Sequence, residues 1–316
     1  MSLVYSAIPF LLYGSYWLSI YNTKNILTIG ARFGICVYTS LLLVDICFGD
    51  RNMALSFLNI FGVGYPLPEK DYGDVCQIYT PEHPSGDAFF NVTDRIDIFV
   101  LAHSLGWFVK TVILRDVRVA WICSILFEIV EICFAHLLPN FNECWWDAII
   151  FDIFGCNLIG IHAADIFLGI VGAEKFDFLK KSGINNAYLF CSLLMILLIT
   201  MIDLNFFFLK FVMFVPTTHW LAYLRTLLWV LISAPSAIEL NRWAKSFRKT
   251  SRKQQLPNFF KSCPSCVIGM TGLAVEVVFY YLESGDLFNL SPPTPIYTII
   301  LSMSLVYATV YSFIKI

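Results

Sequence analysis

Charged residues are scarce in this chain. Of its 316 residues, only 14% are Asp, Glu, Lys or Arg and 58% are hydrophobic, whereas a typical soluble domain carries about 25% charged residues. So few polar side chains could not cover the surface of a soluble domain of this size. The shortage of charge therefore excludes a soluble globular protein. The net charge of −2 is uninformative about partners, and we expect a membrane bilayer and no nucleic acid.

Other signals are missing as well. The chain begins without a basic segment before its first apolar run, so we expect that run to be retained rather than cleaved as a signal peptide. Cys263 and Cys266 have CxxC spacing, but no second cysteine or histidine pair accompanies them, which disfavours a zinc or redox site. Most of the ten cysteines lie in apolar segments, where we expect free thiols that pack as small hydrophobic side chains.

Long apolar segments are abundant. Segments of about 20 mostly apolar residues, long enough to cross a bilayer as helices, recur along the chain. The predicted fold is all-α, a polytopic transmembrane helical bundle of about nine to ten spans. The predicted spans are 3–21, 28–48, 96–114, 118–138, 144–171, 187–210, 220–238, 264–282 and 295–314.

The sequence divides into four parts on this basis. Residues 1–65 form N-terminal transmembrane and interfacial segments, and residues 66–95 form an extramembrane loop rich in Pro, Gly and Asp. Residues 96–245 form the transmembrane core that carries the candidate site. Residues 246–316 contain a basic loop and the last helices.

The two main loops give conflicting signals about sidedness. The basic stretch 241–261 is typical of a cytosolic loop, although contact with anionic lipids is an alternative. The loop 66–95 contains a glycosylation sequon, Asn91-Val-Thr93. A count of four predicted spans between the two loops would place both on one side of the membrane. Either the sequon is unused or a span is miscounted.

Acidic residues inside apolar spans mark a candidate site, because a charge within the bilayer is costly. Glu128 and Glu131 lie three residues apart in one predicted span and therefore on one helix face. Pro139 then ends or kinks this helix. Asn140 and Glu143 follow in the turn.

The next helix continues the acidic series. Asp147 lies four residues after Glu143, one turn up the same face, and Asp152 and Asn157 follow in steps of five. At about 100° per residue such steps drift around an α-helix. We expect these side chains to remain within reach of a neighbouring helix pair.

Together these residues favour a metal site. Five carboxylates packed together would repel one another and take up protons unless a cation lay among them. All the candidate ligands are oxygens, which favours a hard ion, Ca²⁺ first and Mg²⁺ or Mn²⁺ next. The alternative is a set of protonated or amide-bonded carboxyl groups that only hold the helices together. The predicted metal ligands are Glu128, Glu131, Asn140, Glu143, Asp147 and Asp152, and Asn157 is assigned to the substrate.

The preceding span adds a base and two cations. His103, Trp107 and Lys110 share a stripe at spacings of four and three. An isolated His in a span often serves only as a hydrogen bonder between helices. Beside an acidic metal site, however, His103 is a candidate general base. Lys110 and Arg115 either extend towards the membrane interface or hold a phosphate group of the substrate.

This combination suits phosphoryl chemistry on a lipid headgroup. A cation offsets charge on phosphate oxygens, and a base takes the proton of an incoming alcohol. CDP-alcohol phosphotransferases share a DGxxAR…G…D…D array, and this chain has no such array. Nucleotide-activated headgroup transfer is therefore disfavoured.

Three blocks of the sequence resemble the base-exchange phosphatidylserine synthase family of the eukaryotic endoplasmic reticulum. They are DIFVLAHSLGWFVKTVILR, then HLLPNFNECWWD with the D-x₄-N that follows it, and LNFFFLK…H…R…AP at 204–235. The similarity extends over roughly residues 95–245. The N-terminal part matches weakly, and the loop 66–95 diverges.

The resemblance implies calcium-dependent base exchange at the endoplasmic reticulum membrane. Free L-serine would replace the choline or ethanolamine of phosphatidylcholine or phosphatidylethanolamine. The family's essential histidine matches His103, and its acidic and amide positions match the seven acidic and amide residues named above. The alternatives are the same exchange with threonine or another amino alcohol, and a cation-coupled transporter, whose expected paired halves are not evident. The oligomeric state, a homodimer included, stays open.

Overall fold

The structure is a computed structural model that describes six stretches of the chain. They are residues 51–67, 72–96, 98–135, 138–179, 186–246 and 258–283. Three predicted spans, 3–21, 28–48 and 295–314, lie outside the described residues.

The described stretches are helical and contain no strand. The α-helices are α1 (Arg51–Leu58), α2 (Phe90–Thr93), α3 (Ile98–Leu114), α4 (Val117–Phe134), α5 (Leu158–Ile170), α6 (Asn186–Met213), α7 (Trp220–Ser246) and α8 (Pro264–Glu283). A π-helix, Asp147–Asn157, leads directly into α5, and short 3₁₀ turns occupy Asn59–Phe61 and Pro139–Phe141. The all-α prediction is confirmed for these residues.

The other six predicted spans each overlap a helix. Within the described residues, three helical segments are long and apolar enough to cross a membrane: Asp147–Ile170, Ala187–Met213 and Trp220–Ser246. Val100–Leu114 and Pro264–Val278 are apolar but shorter. The described residues therefore support a membrane protein with several apolar helices, and the number of nine to ten spans is not confirmed.

The described residues form two compact units. Unit A contains residues 51–67, 186–246 and 258–283, and unit B contains residues 72–96, 98–135 and 138–179. Every predicted site residue belongs to unit B.

A buried ion pair joins the three long helices of unit A. Arg225 on α7 donates through Nε and one terminal nitrogen to the two carboxylate oxygens of Glu276 on α8, at 3.3 and 2.8 Å. Asn205 on α6 donates to the same carboxylate at 2.9 Å. This fork neutralises one buried carboxylate with one guanidinium, so the cluster carries no excess charge.

A tight corner connects α3 and α4 in unit B. Arg115 adopts a positive φ of 51°, and Asp116 caps α4 by accepting a hydrogen bond from the backbone N–H of Arg118 at 3.0 Å. The Arg118 side chain bonds back to Asp116 and also to Asp177. The corner thereby fixes the angle at which α4 carries Glu128 and Glu131 past α3.

A glycine sets the distance between α3 and α5. A Cβ atom at Gly160 would lie 2.3 Å from the backbone oxygen of Ser104 and 2.9 Å from the Cβ of Trp107. No side chain fits at that crossing, so only glycine permits it. The π-helix that precedes α5 is held next to His103 as a result.

The extramembrane loop is attached to the turn before the π-helix. Cys76 and Cys144 form a disulfide across 68 residues of sequence, the indole N–H of Trp146 donates to the Cys76 carbonyl at 3.1 Å, and Tyr72 forms a β-bridge with Glu143. The expectation of unpaired thiols in apolar segments is therefore wrong for Cys144, whereas Cys76 lies in the polar loop and was not covered by it. The expectation is confirmed for Cys123, Cys133, Cys156, Cys191, Cys263 and Cys266, which are buried and form no disulfide within the described residues.

The count of spans between the two loops needs a correction. The predicted list places five spans between them, and each of the five overlaps a described helical segment: α3, α4, the π-helix with α5, α6 and α7. The count of four is therefore wrong. The sequon itself is engaged, because the Asn91 amide donates to the Gln77 carbonyl and the Thr80 hydroxyl.

Candidate active site

His103 lies at the meeting point of three helices of unit B. Its Nε2 is 2.8 Å from the side-chain oxygen of Asn157 on the π-helix and 3.1 Å from the indole nitrogen of Trp107 one turn along α3. Its Nδ1 lies 3.8 Å from a carboxylate oxygen of Asp152. Both ring nitrogens therefore face polar groups supplied by the sequence-predicted set.

These partners make two tautomers of the imidazole available. The Trp107 indole only donates, so this hydrogen bond needs a lone pair on Nε2 and leaves the proton on Nδ1, facing Asp152. The Asn157 oxygen only accepts, so the alternative bond needs the proton on Nε2. Because each tautomer has a partner, the ring can hold or give up a proton at either nitrogen without losing all of its hydrogen bonds.

The amide of Asn157 connects the histidine to the acidic helix. Its nitrogen donates to the Ser124 hydroxyl at 2.8 Å and to Glu128 Oε1 at 3.2 Å, both on α4. The other carboxylate oxygen of Glu128 is buried and has no hydrogen-bond partner among the described residues. A buried acceptor of this kind is costly unless a cation or a proton satisfies it.

The remaining carboxylates surround Glu128. Glu131 interacts electrostatically with Glu128, Glu143 and Asp152. Glu143, just outside the membrane-spanning helix, is half-buried, and this burial, together with Asp147 and Glu128, raises its pKa to about 7. The site thus gathers five acidic side chains from two helices and the turn between them.

The π-helix explains how the acids at steps of five come together. In an α-helix residues five apart drift around the axis, but a π-helix closes its turns through hydrogen bonds between residues five apart. Asp147, Asp152 and Asn157 are all part of this segment. Residues five apart therefore lie closer to one face here than they would in an α-helix, and the drift around the axis is smaller.

The two predicted cationic residues, Lys110 and Arg115, lie in different surroundings. Lys110 Nζ lies over the Trp107 ring at 4.2 Å and the Phe127 ring at 5.3 Å and interacts electrostatically with Glu128 and Glu131. Arg115 instead lies over the Phe176 ring at 5.3 Å, at the corner between α3 and α4. Of the two, Lys110 is the cation beside the acids.

The donor chemistry fits a hard divalent cation. The site offers five carboxylates and the amide of Asn140, which lies half-buried in the 3₁₀ turn Pro139–Phe141. Glu128 keeps an unsatisfied buried oxygen. Within the described residues, no three His, Cys, Asp or Glu side chains are already arranged to hold a metal ion. A cation would therefore have to draw carboxylates together, which would relieve their repulsion.

Sequence reasoning missed two members of the site. Ser124 receives the Asn157 amide, and its spacing of four residues from Glu128 placed it on the acidic face of α4. Trp107 was recognised only as part of a stripe, yet its indole bonds His103. Spacing alone therefore could have identified Ser124, whereas the indole bond depends on a rotamer.

Comparisons with known proteins identify the family to which this chain is similar. The sequence profile of the family described as "Phosphatidyl serine synthase" matches residues 31–190 and 182–280. CDP-diacylglycerol--serine O-phosphatidyltransferase 3 of Oryza sativa subsp. japonica is 34% identical over 246 residues, 66% of this chain and 57% of that protein. The corresponding enzyme 1 of Arabidopsis thaliana is 32% identical over 251 residues, 70% of this chain and 59% of that protein. Phosphatidylserine synthase 2 of Homo sapiens is 32% identical over 243 residues, 66% of this chain and 49% of that protein.

The chain spans about half to three fifths of the length of these relatives. The family profile covers well over half of the chain and includes every residue of the candidate site. This protein belongs to the Phosphatidyl serine synthase family.

Proposed function

We propose that the protein transfers the phosphatidyl group of a phospholipid to the hydroxyl group of L-serine and so makes phosphatidylserine. The observation that carries the proposal is His103, held between Asp152 and Asn157 beside an excess of buried carboxylates. The printed names of the relatives support serine as the acceptor. The proposed donor is phosphatidylcholine or phosphatidylethanolamine, whose choline or ethanolamine is released.

His103 acts as the general base in this reaction. It takes the proton of the serine hydroxyl as that oxygen attacks phosphorus, and the bond from phosphorus to the choline or ethanolamine oxygen breaks. The same imidazole returns the proton to the departing oxygen. One phosphoester bond forms for each one that breaks, so the exchange needs no nucleotide and is reversible.

The neighbouring residues orient this base and its substrate. Asn157 and Asp152 each face one ring nitrogen of His103 and keep the ring pointed at the reacting oxygen in either protonation state. The ammonium of Lys110 is the proposed partner of a phosphate oxygen. The cation–π contact of its Nζ with the Trp107 ring holds the ammonium next to the acidic residues.

Calcium is the proposed cofactor. The proposed ligands are Glu128, Glu131, Asn140, Glu143, Asp147 and Asp152. A divalent cation bound there would supply positive charge against the phosphate oxygens. Calorimetry on purified protein should detect calcium uptake that Glu131→Gln weakens and His162→Gln, a change outside the site, leaves unchanged. Absence of calcium binding to the unaltered protein would disprove this part.

A second donor is supported by a specific observation. The plant relatives are named as using CDP-diacylglycerol, in which case CMP would leave instead of choline or ethanolamine. The step at His103 would be the same, and only the leaving group would differ. The missing DGxxAR array favours exchange.

The decisive experiment supplies labelled serine and one donor lipid at a time to purified protein in mixed micelles. Base exchange predicts labelled phosphatidylserine with phosphatidylcholine or phosphatidylethanolamine, release of the free base, and loss of product on chelation. Label incorporated only with CDP-diacylglycerol would establish the second donor. Replacing serine with threonine measures acceptor choice, since one methyl group discriminates by only about 1–3 kcal/mol.

The transporter alternative has its own readout. Proteoliposomes that accumulate labelled serine without forming any labelled lipid would contradict the enzymatic proposal.

The family resemblance also leads us to propose the endoplasmic reticulum membrane as the location. Co-fractionation with membranes of that compartment would test this.

A further inference from the structure

Arg95 has an unusual environment for a charged side chain. Its Nε and one terminal nitrogen, Nη1, are buried and find no hydrogen-bond partner among the described residues. A guanidinium cannot lose its proton in a protein and has only donors to offer. Burying two such donors without acceptors is costly, so this arrangement is expected where a ligand supplies them.

The position of Arg95 is fixed by the loop around it. Its guanidinium carbon lies 4.8 Å from the centre of the Tyr72 ring, and Tyr72 is paired with Glu143 of the candidate site. The disulfide between Cys76 and Cys144 anchors the same loop to the same turn. Arg95 is therefore held at the edge of the acidic cluster.

The site beside it needs a positive group. The carboxylates can attract the ammonium group of serine, but they repel its carboxylate. Arg95 is close enough to Glu143 to interact electrostatically, yet the two unpartnered nitrogens bond no carboxylate of the described residues. The guanidinium thus remains available to an oxyanion.

The spacing to the base is also suitable. Helix α3 begins three residues after Arg95, and His103 follows five residues after that start. At a rise of about 1.5 Å per residue, those five residues cover about 7.5 Å of helix. The separation of Arg95 from His103 along the chain therefore includes about 7.5 Å of helix, a length that an arginine side chain and a bound small amino acid can cover together.

We propose that Arg95 binds the carboxylate of the incoming serine and thereby selects serine over acceptor alcohols that lack a carboxylate. This inference rests on the proposed function, because it assigns the acceptor subsite of the same reaction. Ethanolamine and choline carry the cationic nitrogen but no carboxylate. Attraction by the acidic residues alone therefore could not prefer serine to either of them.

The test uses the full-length protein with Arg95→Gln and Arg95→Lys. The control is Arg242→Gln, which removes an exposed guanidinium from α7. Exchange is measured with serine, ethanolamine and 2-amino-1,3-propanediol, in which a hydroxymethyl group replaces the carboxylate of serine. Arg95→Gln should raise KM for serine by about 10- to 100-fold and leave KM for the other two acceptors unchanged.

The conservative variant sharpens the assignment. Lysine keeps the charge but loses the fork, so Arg95→Lys should lie between the unaltered protein and Arg95→Gln. A variant that merely folds badly would lose turnover with all three acceptors alike. Arg242→Gln should match the unaltered protein throughout.

Each other outcome overturns the inference in a distinct way. A higher KM for donor lipid, equal with every acceptor, would show that Arg95 holds the lipid phosphate. An unchanged serine KM in a protein that makes phosphatidylserine would refute the assignment and leave the proposed function intact. Calorimetry without donor lipid measures the affinity for serine independently of turnover. Equal serine affinities of the unaltered protein and Arg95→Gln would also refute the assignment of Arg95.

Discussion

The molecule contains two buried polar clusters that are built in opposite ways. In unit A, Glu276 is matched by Arg225 in a two-bond fork and by the amide of Asn205. In unit B, five carboxylates share a small volume, and the cations that interact with them, Lys110 and Arg95, are fewer than the acids. Both clusters lie among apolar helices, where an isolated charge is costly.

The difference separates structural from functional use of buried charge. A cluster whose single carboxylate is matched by a guanidinium has no excess negative charge that an added cation would have to neutralise. An acidic cluster with an orphaned oxygen on Glu128 is complete only with something added, whether protons or a cation. Residues that break local rules without compensation are expected at functional sites. The contrast predicts that changes to the polar cluster of unit A cost stability, whereas changes to the acidic cluster of unit B cost activity.

The largest effect is expected from His103→Ala. General base catalysis contributes about 10²- to 10⁴-fold, so phosphatidylserine formation should fall by that factor while calcium binding persists. Initial rates measure phosphatidylserine formation, calorimetry measures calcium binding, and His162→Gln is the control. A normal rate in the His103→Ala variant would show that His103 is not the general base.

The next effect concerns the neutralised cluster. Glu276→Ala would leave Arg225 buried without its carboxylate and should lower the free energy of unfolding by about 3–5 kcal/mol. Thermal unfolding in detergent measures this. The double variant Arg225→Met/Glu276→Leu should recover most of the loss.

The matching change in unit B is Glu128→Gln. It should leave the unfolding temperature unchanged and lower the activity. A strong destabilisation by Glu128→Gln would contradict the proposed difference between the two clusters.

Removing the disulfide should have a smaller effect. Cys76→Ser and Cys144→Ser should each cost about 2–4 kcal/mol of stability, and the double variant should cost no more than either single one, because only one bond is lost. Activity should fall as well, since the disulfide holds the loop against the turn that carries Glu143. Additive losses would indicate that the two cysteines do not pair.

The smallest effect is expected at the crossing of α3 and α5. Gly160→Ala places a Cβ 2.3 Å from the Ser104 carbonyl oxygen, and such overpacking typically costs about 1–3 kcal/mol. Separating the helices would also lengthen the contact between His103 and Asn157 and lower the rate. Gly169→Ala on the same helix has no atom within 4 Å and should be neutral or stabilising. Equal behaviour of the two variants would show that the close crossing is unimportant.

Much of the site was predictable because its residue types are conspicuous. Carboxylates in apolar helices, a histidine stripe and the turn at Pro139 indicated which helices meet. The steps of five from Asp147 to Asn157 were visible in the sequence. The π-helix that brings these residues closer to one face was not, because the same sequence could also form an ordinary α-helix. The pairing of Cys76 with Cys144 spans 68 residues, and spacing gives no information over such a separation.

Composition and short-range spacing by themselves determined that this is a helical membrane protein with an acidic site between two helices, because apolar length and buried charge are properties of local sequence. Only the tertiary structure decided which nitrogen of His103 meets which partner and that Arg225 neutralises Glu276. It also decided that two buried donors of Arg95 meet no acceptor in the part of the chain that the structure describes. Those contacts join residues distant in the chain, and their geometry depends on how closely helices such as α3 and α5 approach.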